Sequence, residues 1–414
     1  MRKIGRKYYK KIIHIEEKPP KATSERIKEV LDDVFPKQIF SKSFSIFLCA
    51  CFAVLFLVGG FFIFIKTHED FAANFADNTL RPLIGEQGTI QIEAFFFAIQ
   101  DNVNQVKYKT FHQTAQNTVA YAQSKTISAS IGAAVSPKFP LDPIKPLIGD
   151  NSIPGEGVWT PIVVASDSPL IAKTTYRPDS DRPYAVATLA KLNMSLSRLN
   201  IVAGLQQPGG IYKPGPGKIP VDIQASNTLL AAFNGGFQQK DGYYGMIVGN
   251  TTYLPLEQNM ATLVMYQNET PKIVRYTGQN LGNNVIAIRQ NGPMLIENGQ
   301  IVTSSNVWNM QTWGLTTTNS MYTWRSGVGV DKDGNLIYVS GPSLVPETLA
   351  NSLQAAGAVN AMQLDINTTW VRFSIFNPLG NGQYNPLTLN PSMVNGGYQY
   401  LHGYQKDFFY VYRK

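Results

Sequence analysis

From Gly157 to the C-terminus, apolar residues come in short runs that Gly, Pro, Asn and Asp keep interrupting. Tyr184–Ala190, Leu199–Ala203, Leu229–Phe233, Gly245–Val248, Ala261–Tyr266, Val285–Arg289 and Phe408–Tyr412 are each the length of a strand rather than of a helix. A chain punctuated in this way builds sheet. The best helical pattern is Pro346–Ala356, where Leu349, Leu353 and Ala356 fall on one face. Ser343 stands where a cap is expected, Pro346 and Glu347 suit a first turn, and Gly357 supplies a stop. The expected fold class is α+β, sheet-rich with few helices.

Thr323 to Trp370 organises this domain. It reads as strand, Asp-Gly hairpin at Asp331–Gly334, strand, loop, helix and a last buried strand, Ala361–Asp365, that ends in a carboxylate. A strand end holds such a group in place while the following loop opens to solvent. Arg325 begins the first strand of the same unit, so Arg325 and Asp365 are expected to share a cleft, either as a site or as a structural salt bridge. Asp331 and Asp333 offer oxygens to a cation, although a DxDG turn is ordinarily a plain hairpin.

Ahead of the domain the chain divides by composition. Residues 1–42 hold twelve Lys/Arg against six Asp/Glu, which accounts for most of the formal charge of +8 and leaves the remainder near balance. The domain itself therefore lacks the basic surface of a nucleic-acid binder. Phe44–Ile65 is a run of 22 residues without a charge, bracketed by Lys42 and Lys66. At about 1.5 Å per residue it spans a hydrocarbon core of about 30 Å, so residues 43–66 are expected to form a transmembrane helix through the lipid bilayer. The positive-inside rule then places residues 1–42 in the cytoplasm and the domain outside a plasma membrane, on a single pass. Residues 67–132 read as a juxtamembrane connector. Within it Thr89–Phe111 forms an amphipathic helix able to lie on the membrane, pair with a second copy as a homodimer, or pack on the domain. Residues 133–156, with Pro137, Pro140, Pro143, Pro146 and Pro154, read as a stiff linker, and residues 157–414 as the domain.

The two cysteines, Cys49 and Cys51, lie in the apolar run, and the four histidines are scattered. Neither a disulfide framework nor metal-ligand spacing results, and no cofactor motif is present. Ala231-Ala-Phe-Asn-Gly-Gly-Phe237 is a strand running into Asn-Gly-Gly, suited either to a hairpin or to close approach by a ligand, with Asn234 able to bond a sugar hydroxyl or phosphate oxygen. Gln290 and Asn291 follow another strand and can face a cleft, whereas Glu297 beside Asn-Gly reads as a turn residue. Trp313, Trp324 and Trp370 are platforms on which sugars stack, or core.

In order and spacing, AAFNGGF, the turn Gly242-Tyr-Tyr-Gly245, NGPMLIENGQ, Arg325-Ser-Gly-Val-Gly-Val with its DxDG hairpin, and the helix before NAMQLD resemble the phosphodiester glycosidase family from about Arg182 onward. The anchor and connector resemble those of membrane-anchored bacterial members. The resemblance implies a hydrolase that cleaves sugar-1-phosphodiester bonds in a carbohydrate or sugar-phosphate polymer at the cell envelope. Carried over by position, Asn234, Gly235 and Gly236 line the site, Arg325 binds phosphate and Asp365 is the strand-end aspartate. An Arg fork holds a phosphodiester bidentately, and a carboxylate stabilises an oxocarbenium-like transition state or activates water. The family continues that aspartate with Gly-Gly-Gly-Ser, where this chain has Ile366-Asn-Thr-Thr-Trp370. Either Asn367 and Thr368 replace the lost contacts, or the substrate differs, or the site is inactive. The alternative is a catalytically inactive glycan- or cell-wall-binding protein on the same fold.

Overall fold

The computed structural model describes residues 102–109, 139–149, 153–165, 167–268, 270–302, 322–393 and 396–414, with Leu83, Ile99 and Trp313. The apolar run Phe44–Ile65 lies outside the described residues, and no helix among those described is long and apolar enough to cross a membrane.

The strands are β1 (Thr160–Ala165), β2 (Ser168–Tyr176), β3 (Ala187–Leu192), β4 (Ser197–Val202), β5 (Leu229–Asn234), β6 (Met246–Val248), β7 (Thr251–Leu254), β8 (Ala261–Tyr266) and β9 (Lys272–Arg275). They continue as β10 (Val285–Gln290), β11 (Met294–Glu297), β12 (Gln300–Ile301), β13 (Thr323–Asp331), β14 (Leu336–Leu344), β15 (Ala358–Ile366), β16 (Phe373–Gly380), β17 (Gln383–Thr388) and β18 (Phe408–Arg413). Helical segments are α1 (residues 102–109), α2 (Val221–Ala225), α3 (Pro346–Ala355) and α4 (Tyr398–His402), with a 3-10 turn at Gln239–Asp241. The strands form three sheets, ordered β1-β2-β3-β14-β13-β15-β11-β12, β7-β6-β10-β8-β9 and β17-β16-β5-β18-β4. Their ladders are antiparallel. This is the sheet-rich α+β domain expected from the short apolar runs.

One core joins all three sheets, with Val328, Met362 and Leu364 from the first, Leu263 and Ala287 from the second, and Phe233, Phe373 and Phe409 from the third. Phe233 stacks on Phe373 at 5.5 Å and on Phe409 at 5.2 Å, which binds β5 to both its neighbours. On the other face of the large sheet, Leu349 and Leu353 of α3 pack with Trp313, Ile337 and Ala361. The cap of α3 differs from expectation. Ser343 lies in β14 with φ +55, the N-cap is Val345, and the Thr348 hydroxyl accepts the Val345 N–H at 3.0 Å. Gly357, at φ +96, ends the helix in the left-handed region that glycine tolerates.

The proline-rich stretch is not a free linker. Phe139 is fully buried against Trp159, Ala172 and Ile337, and Ile144 donates its N–H to Gly157 O at 2.9 Å. Lys191 Nζ reaches Pro140 O at 2.9 Å. Glu156 forms a buried ion pair with Arg177 at 2.8 Å, and Arg177 also reaches Ile148 O. The packed domain thus begins by Phe139 rather than near Gly157. In α1 the Tyr108 ring lies 6.4 Å from that of Tyr184.

The strap generates a test. Phe139→Ala should cost about 3–5 kcal/mol of unfolding free energy, the usual loss for a fully buried phenylalanine. Denaturant unfolding monitored by tryptophan fluorescence reads it, and a loss below about 1 kcal/mol would show that the segment is only loosely held.

Candidate active site

Four strand ends from the three sheets meet at one polar centre, formed by the ends of β5, β10 and β15 and the start of β18. Its middle is the ion pair of Arg289 with Asp407, 2.9 Å apart and wholly buried on both sides. Arg289 Nη1 donates to Tyr244 O and Gln290 O at 3.0 and 2.8 Å, and Nη2 to Phe237 O at 2.8 Å. Asp407 Oδ2 accepts the Gly236 N–H at 3.1 Å, and Asp407 O accepts that of Gly235 at 3.0 Å. Here the Asn-Gly-Gly motif finds its reason. A Cβ at Gly235 would overlap Asp407, and one at Gly236 would stand 2.8 Å from Arg289 Nη2 and 2.9 Å from Asn291 Oδ1. The glycines admit the chain's own ion pair.

The amides expected from the sequence to face a substrate hold this centre together. Asn234 donates to Ser326 Oγ at 2.9 Å and Gly235 O at 3.2 Å, and accepts from Tyr338 OH at 3.0 Å and Arg372 N at 3.1 Å. All four of its bonding positions are filled. Gln290 is filled likewise by Gly245 N, Glu257 N, Glu257 O and Thr262 Oγ1. Asn291 accepts from Phe237 N and donates to Gln363 O and Leu364 O.

Asp365 stands beside the centre, at the end of β15. Its N–H donates to Gly235 O at 3.1 Å, and its carbonyl accepts the Ser326 hydroxyl at 2.7 Å. Oδ2 forms an ion pair with Lys406 Nζ, and Oδ1 accepts the Ile366 N–H at 2.9 Å. Lys406 also lies 4.2 Å over the Trp370 ring, a cation–π contact. Burial raises the Asp365 carboxyl to about 6, against the pull of Lys406, with the charge of Asp241 adding a smaller push upward. That range suits a group asked to exchange protons near neutral pH.

Arg325 does not join Asp365. It is buried in β13 on the side of α3, where Nε donates to Leu344 O at 3.0 Å and Nη1 to Trp313 O at 2.8 Å and Gln363 Oε1 at 2.9 Å. Burial lowers its pKa to about 9. The cause of the separation is a register shift between Arg325 and Gly327, which gives β15 an extra residue. Such a bulge turns Asp365 off the face that Arg325 shares with Gln363.

After Asp365 the chain makes a tight turn. Asn367 has φ +74, donates its N–H to Trp324 O and accepts those of Trp370 and Val371. Asparagine is one of the few residues that accepts this conformation in place of glycine. Ile366 is buried with Phe237 and Tyr244, while Thr368 is exposed and Asn367 and Trp370 are half-buried at the rim. Of the three tryptophans named as platforms, Trp313 and Trp324 are core. Glu297 pairs with Arg275 at 2.6 Å on a hairpin, and that bond lowers its pKa. The Asp331 carboxylate accepts from Asp333 N and Asn335 N and pairs with Lys191 at 3.0 Å, so it closes its own hairpin.

Sequence reasoning missed Lys406, Asp407 and Arg289. The available signal was Lys406-Asp407 placed directly before an apolar strand, where two opposite charges enter a region with little else to pair them.

Replacing Asp407 with Asn leaves Arg289 charged and buried without its partner, which ordinarily costs about 3–5 kcal/mol. Chemical denaturation of Asp407→Asn beside wild type measures this. A loss under about 1 kcal/mol would mean that the centre does not depend on the pair.

The profile of the phosphodiester glycosidase family matches residues 227–385. No curated protein matches the chain. Among solved structures, the chain is similar to the catalytic domain of zebrafish N-acetylglucosamine-1-phosphodiester alpha-N-acetylglucosaminidase auto-inhibited by its pro-peptide. The identity is 16%, over 60% of this chain and 86% of that one, with a TM-score of 0.38. It is also similar to a hypothetical protein from Synechocystis, at 15% identity over 60% of this chain and 63% of that one, with a TM-score of 0.33. Residues 227–385 match the phosphodiester glycosidase family, with Asp365 inside the matched segment and Lys406 and Asp407 beyond its end.

Proposed function

We propose that this chain hydrolyses sugar-1-phosphodiester bonds in surface polymers or glycans, with Asp365 as the catalytic carboxylate. The observation that carries the reading is the Asp365 carboxyl itself, held at a strand end beside Lys406 and Trp370 and raised to about 6. Bond cleavage at an anomeric carbon builds positive charge on the sugar ring, which a carboxylate at this position stabilises, or it requires a water that the carboxylate deprotonates. Lys406 keeps the carboxylate ionised in its buried setting and fixes its direction. Trp370 supplies an apolar edge for a sugar, and Asn367 and Thr368 form the polar rim beside it. Asp241, on the 3-10 turn and close enough to act on Asp365 electrostatically, is the natural second carboxylate. The left-handed Asn367 supports an active site, because the backbone can follow a glycine-like path through the sequence departure.

The domain is proposed to work outside a plasma membrane, carried by Phe44–Ile65 with residues 1–42 in the cytoplasm, as the uncharged run and the basic flank suggest. The α1 region is proposed to pair two copies, since Val103 and Val106 are exposed on it.

Asp365→Asn should lower turnover of sugar-1-phosphodiesters at least ~100-fold, read as free sugar released. If the carboxylate form acts, the rate of wild type should rise with pH through about 6. The same proton affects stability. Since the folded carboxyl titrates above its ordinary 3.8, protonation favours the fold; that contribution is full below about 3.8 and lost above about 6. Wild type that turns over no sugar-1-phosphodiester, while glycans still raise its melting temperature, would instead favour the inactive binding protein.

A further inference from the structure

Three buried arginines show how this fold treats a guanidinium. Arg177 pairs with Glu156, Arg289 pairs with Asp407, and Arg325 donates to two carbonyls and an amide oxygen. Arg372 is a fourth, only 8% exposed, and is treated differently. Its Nε donates to Thr369 O at 3.0 Å, and its guanidinium lies 5.8 Å from the Tyr404 ring centroid. Among the described residues, Nη1 and Nη2 have no hydrogen-bond acceptor and no carboxylate pairs with them. Buried cations are ordinarily paired, so a guanidinium with an open fork points to an anion that arrives from outside.

Two more donors are left over beside it. Gln399 Nε2 is buried without a partner among the described residues, and so is the hydroxyl of Tyr400, a residue with 0% exposure. A Cβ placed on Gly396 would stand 3.1 Å from Arg372 Nη1 and 2.8 and 2.9 Å from the two amide atoms of Gln399, so guanidinium and amide flank one point of the backbone. Arg372 acts electrostatically on Tyr400 as well. Each orphaned buried donor costs about 1–3 kcal/mol, and Gln399 Nε2 and the Tyr400 hydroxyl are two such donors on neighbouring residues.

We propose that Arg372, Gln399 and Tyr400 form an anion subsite that receives the phosphoryl group of the substrate. Guanidinium, amide and phenol N–H and O–H groups suit the several oxygens of a phosphate, and the Arg fork can take two of them at once. The subsite is built on the same framework as the catalytic carboxylate. Arg372 follows Asp365 by seven residues, its N–H bonds Asn234 Oδ1 and its carbonyl accepts the Asn234 N–H, both at 3.1 Å. The next residue, Gly235, takes the N–H of Asp365. The role that the sequence suggested for Arg325 thus falls to Arg372. That an anion binds here follows from the donors alone; that the anion is the substrate's phosphoryl group rests on the glycosidase reading.

The test uses the full chain and inorganic phosphate, with titration calorimetry on wild type, Arg372→Gln, Arg372→Lys, Gln399→Ala and Tyr400→Phe. Saturable phosphate binding is expected in wild type, at least tenfold weaker in Arg372→Gln and Arg372→Lys, and several-fold weaker in the other two. Without phosphate, Arg372→Gln should melt no lower than wild type, because a buried charge without a partner is removed. A purely structural arginine would lower the melting temperature on loss, and that result with unchanged phosphate binding overturns the subsite. Turnover is read in parallel. Phosphate binding lost with Arg372 in a protein that cleaves no phosphodiester keeps the subsite and removes the glycosidase reading. Turnover whose KM is indifferent to Arg372 keeps the glycosidase and removes the subsite.

Discussion

The buried pair of Arg289 with Asp407 holds the strand ends around which the site is built. A buried ion pair adds little to stability compared with well-packed apolar side chains, but losing one partner is expensive. Here that asymmetry is compounded. The guanidinium reaches the carbonyls of Phe237, Tyr244 and Gln290, and the carboxylate takes the N–H of Gly236, so one pair joins the ends of β5 and β10, the turn between β5 and β6, and the start of β18. Lys406 is the immediate neighbour of Asp407, and its reach to Asp365 is set by the same anchor. The Asp365 carboxyl is thereby placed by a pair that is itself wholly buried.

Around that anchor the polar groups divide into two kinds. Asn234 and Gln290 are filled on every side and Asn291 bonds three partners, so all three behave as rivets, whereas Asp365 and Lys406 lie at the edge of this region, near the half-buried Asn367 and Trp370. Satisfied amides make a stiff frame. A stiff frame allows a carboxyl to be kept in a desolvated position with a raised pKa, because the surroundings cannot relax to solvate it.

Much of the fold was legible because apolar runs and turn residues report directly on strands. β8 falls on the expected Ala261–Tyr266, and α3 ends one residue before the expected Ala356. Asp365 was legible as a carboxylate at a strand end. Its partner was not, since charges such as Lys406 and Asp407 before a terminal strand ordinarily read as solvated. The error over Arg325 has a precise cause in the extra residue of β15, and no local pattern announces a bulge of that kind. The proline-rich stretch misled in the opposite way. Its prolines signal an extended path, but Phe139, Ile144 and Ile153 were the better guide, because an extended segment carrying buried apolar residues is a strap and not a spacer.

That strap has a mechanical consequence. A pull applied to the chain ahead of Phe139 meets the domain first at the ring seated against Trp159 and Ile337, then at the Lys191 bond to Pro140, and then at the buried pair of Glu156 with Arg177. These contacts load in sequence, with Lys191 on β3 and Arg177 just past the end of β2. Within the eight-stranded sheet β14 and β13 stand between β3 and β15, so tension on the N-terminal side would be spent in unpeeling the strap before it reached the geometry around Asp365.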